Sequence, residues 1–368
     1  MRSVAALLLL SVCPAYGAGA DPFAGMSVSS EPAQEQTAQT RSQRFFADNF
    51  GWRNEVMSQF GFSDQAAPAS RQSAGFEALK KFSSETKTFA SVDLQGRLVR
   101  RDRFVGSLND LEGAGRQGWS FEYHNAYADF YDLAGPVGKV NARIGRFYVP
   151  FGLNLQTDTH GSVLQLSNER NFGFERDWYA GFWGPLTDDL NYDAYYLAGS
   201  GYDLKYKGQS GLGAARLSLA NRYANEYGLE GGLSVIGGQR LSSMTSGPID
   251  TTRAGIDGRL RRAVPTGSVA WSSEVSGGRD APDSVFTQLH QLEYLHASRR
   301  WGLSAQYRRF WQQARDDDAS LFCEATWYFR NDVSNSSLHW LKLNVERQLE
   351  RQAGNRALIA TLQYYRYW

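Results

Sequence analysis

"TRAGIDGRLR", residues 252–261, is a run in which neighbours differ in character and second neighbours agree. Ala254, Ile256 and Leu260 share one parity, and Arg253, Asp257, Arg259 and Arg261 share the other. A strand sends alternate side chains to opposite faces, so this spacing predicts a β-strand with one apolar and one charged face. The same pattern returns in "SVDLQGRL" (91–98), where Val92, Leu94 and Leu98 oppose Ser91, Asp93, Gln95 and Arg97. It returns again in "LKLNVE" (341–346), where Leu341, Leu343 and Val345 oppose Lys342, Asn344 and Glu346.

Such segments recur from Trp52 onward, separated by turn residues. They are read at 52–62, 71–82, 87–100, 118–133, 138–151, 174–186, 190–200, 211–223, 226–240, 250–262, 267–279, 284–298, 301–313, 320–332, 337–349 and 356–368. Two-faced strands also suit an antiparallel sandwich in water, with the aromatics in its core. The connections separate the two architectures. "SSET", "AGPVG", "GPLTDD", "ANE" and "ASRR" are short, whereas 101–117, 152–173, 200–210 and 241–249 are long and fall on the other side. Short turns at one end and long loops at the other are the pattern of a transmembrane antiparallel β-barrel of about 16 strands. Composition agrees: 14% aromatic residues and 37 Gly against 10 Pro suit strands and turns better than a helix bundle. The mean hydropathy of -0.47 is compatible with a membrane barrel, because only alternate residues of each strand meet lipid.

Aromatics crowd predicted strand ends, as membrane–water boundaries favour. Trp178, Phe182 and Trp183 do so beside Tyr192, Tyr195 and Tyr196, and Trp327, Tyr328 and Phe329 form a second group. The closing run "LIATLQYYRYW" (358–368) reads as a last strand that pairs with the first. Ala360, Leu362, Tyr364 and Arg366 are expected on its lipid side, with Arg366 tolerated near the interface. Outer-membrane barrels commonly end on an aromatic residue, here Trp368.

Residues 1–20 carry Arg2, an apolar run from Val4 to Val12 and a small-residue "AGA" site, which predicts a cleaved signal peptide and export. Val12 before Cys13 is a poor fit to a lipidation site. Residues 21–50 are a polar leader expected to be flexible, and 51–368 form the barrel. Removing the signal leaves 39 − 1 = 38 basic residues against 38 acidic, so bulk charge gives no reason to bind nucleic acid. Cys323 is then the lone cysteine, which excludes an internal disulfide, and no run of 18 apolar residues predicts a membrane helix.

The stretch "VNARIGRFYVPFGLNLQTDTHG", residues 140–161, resembles the strand and loop start of the phosphate-selective porin O/P family of bacterial outer membranes. The matching residues are Ile144-Gly145-Arg146-Phe147 and Val149-Pro150-Phe151-Gly152-Leu153. The resemblance implies a sixteen-stranded barrel, passive diffusion of small hydrophilic or charged solutes, contact with outer-membrane lipid, and a homotrimer as one assembly. No heptads occupy residues 21–50, and lysine is scarce, so the family's coiled coil and a lysine-lined anion path are not carried over.

By the same resemblance the 152–173 connection, the third outer loop, folds inward and narrows the channel. Its expected charges are Asp158, His160, Glu169 and Arg170, with Glu175 and Arg176 beyond; rings of both signs select by charge and diameter. The lumen is expected to carry Arg97, Arg143, Arg146, Asp257, Arg259, Lys342, Asn344 and Glu346. Arg143 and Arg146 lie on opposite parities, so either a bulge at Gly145 turns Arg146 inward or one of the two arginines sits at a rim in water.

No catalytic, cofactor or metal site is predicted. Asp158, His160 and Ser162 crowd one loop, which is not the geometry of a hydrolase triad. His124, His290, His296 and His339 fall in strands, and "DDD" (316–318) lacks calcium-loop spacing. "GLG" (211–213) lacks the third glycine of a dinucleotide fingerprint. The alternatives to a channel are a barrel sheath for a periplasmic or haem-bearing electron-carrying partner and, less well supported, a barrel hydrolase.

Overall fold

Alternating residues give sixteen strands, and the strands close. A computed structural model describes residues 49–84, 87–102, 118–134, 139–153, 164, 171–201, 210–219, 228–241, 247–313, 317–332, 337–350 and 357–368. The first four strands are β1 (Phe50–Ser63), β2 (Ala69–Ser83), β3 (Thr88–Asp102) and β4 (Gly118–Phe130). Shorter ones follow: β5 (Asn141–Tyr148), β6 (Arg176–Pro185), β7 (Leu190–Leu197), β8 (Gly211–Leu219) and β9 (Leu229–Arg240). The long back wall is β10 (Ile249–Val264), β11 (Gly267–Asp280), β12 (Asp283–His296) and β13 (Trp301–Gln312). β14 (Asp318–Asp332), β15 (Ser337–Glu350) and β16 (Leu358–Tyr367) complete the circuit.

Each strand pairs antiparallel with its sequence neighbours, and β1 pairs with β16, from Glu55↔Tyr367 to Ser63↔Ile359. The closure leaves no open edge, so every strand has a ladder partner on both sides. Asn54 and Trp368 exchange backbone hydrogen bonds of 2.8 and 3.1 Å at this seam. Inside it, the Tyr365 hydroxyl donates to Glu55 Oε2 at 2.9 Å, tying β16 to β1 through a side chain.

The two faces differ sharply. Phe60, Leu94, Leu98, Phe121, Leu233, Ile256, Leu303 and Leu343 are exposed on the outside. Arg97, Arg253, Gln306, Asn344 and Gln363 are buried within. Ala360, Leu362, Tyr364 and Arg366 take the outer face as expected, and Arg366 covers the Trp368 ring at 4.6 Å. Polar residues on the outside pair sideways: Ser273 bonds His290 Nδ1 at 2.8 Å, and Ser58 donates to Gln72. Such pairing lowers the penalty of leaving a polar group on an apolar face. Among the described residues no helix is long and apolar enough to cross a membrane.

Both termini of the described chain lie at the end that carries connections 84–87, 186–189, 265–266, 297–300 and 333–336. The opposite end carries 103–117, 149–175, 198–210 and 241–248. β8 is described to Leu219 and β9 from Leu229, so the expected short turn "ANE" (224–226) lies outside the described residues.

One expectation about residues 141–148 and their neighbours is corrected, the place of the bulge. The register shift lies in β4, where His124 and Asn125 face Gln95 between the pairs Leu94↔Ala126 and Gly96↔Tyr123. Gly145 instead takes φ +131°, and a Cβ there would stand 2.2 Å from the Ala126 carbonyl. Only glycine fits so close to the neighbouring strand. Arg146 caps the bulge from β5: its Nη1 donates to the carbonyls of Tyr123 at 3.0 Å and His124 at 2.6 Å. A bulge frees backbone carbonyls from the ladder, and the guanidinium satisfies them.

Candidate channel constriction

The connection after β5 turns into the barrel. Pro150 cannot extend the ladder, and Gly152 at φ +65° redirects the chain. Gly152 N then donates to Ser234 Oγ of β9 at 3.1 Å, and Leu153 N to Glu274 Oε2 of β11 at 2.9 Å. A Cβ on Gly152 would meet the Glu274 carboxylate at 2.3 Å, so the backbone itself is seated on that acid. On the return limb Asn171 Nδ2 donates to Ser276 Oγ at 3.2 Å, and the Thr287 hydroxyl of β12 donates to Asn171 Oδ1. Arg240 Nη1 donates to the Phe172 carbonyl at 3.1 Å. A chain leaving β5 and entering β6 is therefore anchored on β9, β11 and β12, across the interior.

An apolar bed explains why it stays there. Phe151, Phe172 and Phe174 are fully buried and belong to one cluster with Tyr179, Tyr195, Leu197, Leu212, Ala214 and Ile236. Those last six project inward from β6 to β9. Phe151 and Phe172 meet edge to face at 5.2 Å. Tyr179 and Tyr195, with centroids 4.6 Å apart, continue the bed along the wall. Part of the expected aromatic girdle is thus corrected: Tyr195 and the half-buried Trp183 pack inward, while Phe182, Tyr196, Trp327 and Phe329 are exposed outside.

Around this loop the interior is charged, and several of the charges are paired. The Arg216 guanidinium grips Asp257 through both nitrogens, one at 2.8 Å, and its Nη1 also donates to Ser234 Oγ at 3.1 Å. Ser234 thus joins an ion pair to the inward loop. Asp280 accepts from Arg240 at 2.8 Å and Thr251 at 2.7 Å, and lies 2.9 Å from Arg253 Nη2. Bidentate, charge-assisted contacts of this kind are the strong ones, and they offset the desolvation of the buried charges.

The expected site residues are spread round the wall rather than gathered into one ring. Arg97, 1% exposed, bridges Glu55 at 2.5 Å and His124 Nδ1 at 2.8 Å. Arg143 holds Asp129 through two bonds of 2.7 and 2.8 Å, with its guanidinium 4.5 Å from the Tyr127 ring centroid. Glu175 and Arg176 are buried at the loop root, 3.4 Å apart, with Arg176 4.0 Å over the Tyr148 ring. Arg259 donates to Ser272 at 2.9 Å. Lys342 pairs with Glu324 at 3.1 Å, Glu346 accepts from Ser320 at 2.8 Å, and Asn344 is buried between them along β15. Arg146 is committed to the bulge. Asp158, His160, Ser162, Glu169 and Arg170 lie outside the described residues. Asp317 is spoken for by Arg309 at 2.5 Å, and among the described residues no cluster could hold a metal ion.

Ser234, Glu274, Arg216, Arg240 and Asp280 were missed. The signal was present: Ser272, Glu274 and Ser276 keep the inward parity of "WSSEVSGG" (271–278), and Asp280 continues it after Gly278.

No family model matches the chain, and no curated protein matches it. Solved structures do. The OprB structure of Pseudomonas putida at high pH has a TM-score of 0.60 at 9% identity, covering 89% of this chain and 96% of that one. The anion-selective porin of Comamonas acidovorans gives 0.57 at 9% identity, with 87% and 99% covered. The outer-membrane protein OmpT of Vibrio cholerae, in its trimer form, gives 0.53 at 10% identity, again with 87% and 99% covered. At such identities the likeness is one of fold: a closed sixteen-stranded antiparallel barrel.

Proposed function

We propose that the chain is an outer-membrane, porin-like channel that lets small hydrophilic or charged solutes diffuse passively, without chemistry. One observation carries this reading: a closed barrel turns an apolar face outward and a charged, amide-rich face inward, and a loop from β5 crosses the interior. A continuous apolar exterior is unfavourable in water and suits lipid. The polar interior, narrowed by the loop, suits a water path whose width and charge choose the solute. Porins among the fold neighbours support the same reading.

Residues 1–20 act as the export signal, 21–50 as a polar leader, and the barrel follows. Arg97, Arg143, Glu175, Arg176, Asp257, Arg259, Lys342 and Glu346 line or support the path, with Asp158, Glu169 and Arg170 as further charges of the constriction. Of the phosphate-selective resemblance, the barrel and loop plan is carried over. Several interior charges pair with the opposite sign, among them Arg216 with Asp257, Arg143 with Asp129 and Lys342 with Glu324, which supports general diffusion over an anion path. A homotrimer is the assembly proposed. A sheath for a protein partner fits less well, because Gly152, Leu153, Asn171 and Phe172 already bond across the interior such a partner needs.

Liposome swelling tests the proposal. Proteoliposomes loaded with an impermeant polymer should swell in isotonic solutions of small sugars and amino acids, faster for smaller solutes. Swelling no faster than empty vesicles, with protein correctly inserted, contradicts it.

A further inference from the structure

At the outer end of β6 lies a carboxylate held by backbone alone. Asp177 is fully buried. Its Oδ1 accepts N–H bonds from Trp178 at 2.9 Å, Ser200 at 3.3 Å and Gly201 at 2.9 Å. Its Oδ2 accepts from Gly199 at 2.6 Å. Gly199 and Gly201 take φ +70° and +68°, which bends the connection after β7 into a concave nest of N–H groups around the acid.

The nest sits on the root of the inward loop. A Cβ on Gly201 would lie 3.0 Å from Phe174, and Gly199 accepts the Leu241 N–H at 2.7 Å. The charged neighbours are otherwise engaged. Glu175 pairs with Arg176, which also bonds the Tyr148 hydroxyl, and Arg240 is held by Asp280. No described cation bonds Asp177, so its charge is balanced by N–H dipoles that are lost if the nest opens.

We propose that Asp177 is a protonation-controlled latch: the carboxylate holds residues 198–201 on the root of the constriction loop, and the neutral acid releases them. Burial penalises the charged form and N–H bonds favour it, so uptake of one proton weakens every bond of the nest together. The loop root, freed on that side, then changes the opening it frames. The effect on current rests on the channel reading above; the latch itself does not.

Two readouts keep these apart. Amide hydrogen exchange of Gly199–Gly201 in detergent-solubilised protein, corrected for intrinsic rate, reports the latch between about pH 8 and about pH 4.5, where a buried carboxyl takes up its proton. Protection should fall about tenfold or more with acid, since charge-assisted bonds exceed neutral ones by at least that factor. In Asp177→Asn the amide nitrogen must face at least one N–H whichever way it turns, so protection should be low at both pH values. Planar-bilayer current should change over the same pH range in the wild type and be pH-independent in the variant.

Protection that ignores pH in the wild type overturns the latch, and this needs no variant to fold. Falling protection with an unchanged current overturns its action on the channel. Wild-type protein with no current at any pH counts against the channel reading instead.

Discussion

Replacing Asp280 with Ala should cost the barrel about 3–5 kcal/mol, the range for removing one partner of a buried ion pair. The carboxylate is shared by Arg240 and Arg253, which are 8% and 1% exposed, and by the Thr251 hydroxyl. Without it two guanidiniums face each other across β9 and β10 with no anion between them. Heat-modifiable gel mobility, or urea unfolding in detergent, should register the loss as a lower transition. Asp280→Asn should fall between, since one amide oxygen still accepts. Arg240 also holds the Phe172 carbonyl, so the Ala variant should loosen the return limb of the inward loop as well. An unchanged transition would show that water already solvates the pair.

The second large effect concerns the outgoing limb. Ser234 and Glu274 take the N–H groups of Gly152 and Leu153 at 3.1 and 2.9 Å. A neutral bond contributes about 0.5–1.5 kcal/mol and one to a charged group about 1.5–3. The double change Ser234→Ala with Glu274→Ala should therefore release about 2–4.5 kcal/mol of anchoring. At about 1.4 kcal/mol per decade, that multiplies the detached population by roughly 30- to 1600-fold. Single-channel recordings should show larger or noisier openings than the wild type, while thermal stability changes less than in Asp280→Ala. Phe151 limits the effect, because its ring lies over Gly255 of the same wall, where a Cβ would come within 2.9 Å of it. Openings of unchanged size would mean that this limb does not narrow the path.

Much of this architecture was legible in alternation alone. Ile256 and Asp257 take opposite faces because a strand offers two, and one faced lipid in the reading. The strand limits moved by a few residues at most places, and the long connections fell at one end. What local pattern could not supply was contact at a distance. Gly152 meets Ser234, 82 residues away, and Leu153 meets Glu274, 121 away.

The apolar bed was missed for a related reason. In "AYYLAG" (194–199) both parities are apolar, which departs from the lipid-out, water-in rule. Tyr195 and Leu197 face inward there because the loop supplies Phe151, Phe172 and Phe174 to meet them. Strands of this barrel that are apolar on both faces mark where something packs inside. The bonds of Arg146 were not legible because its parity was judged on β5, whereas the irregularity whose carbonyls it meets belongs to β4.

If the barrel conducts, Ser304 should face water and Leu303 lipid on the same strand. Leu303 is exposed on the outside, and its neighbour Ser304 pairs across the ladder with the buried Glu324. The direct measurement replaces Cys323 with Ala, then compares Ser304→Cys and Leu303→Cys in planar bilayers treated with a charged, membrane-impermeant thiol reagent. The account predicts that current through Ser304→Cys falls on modification while Leu303→Cys is unaffected. Block at Leu303→Cys, or no effect at either position in channels that conduct, would contradict it.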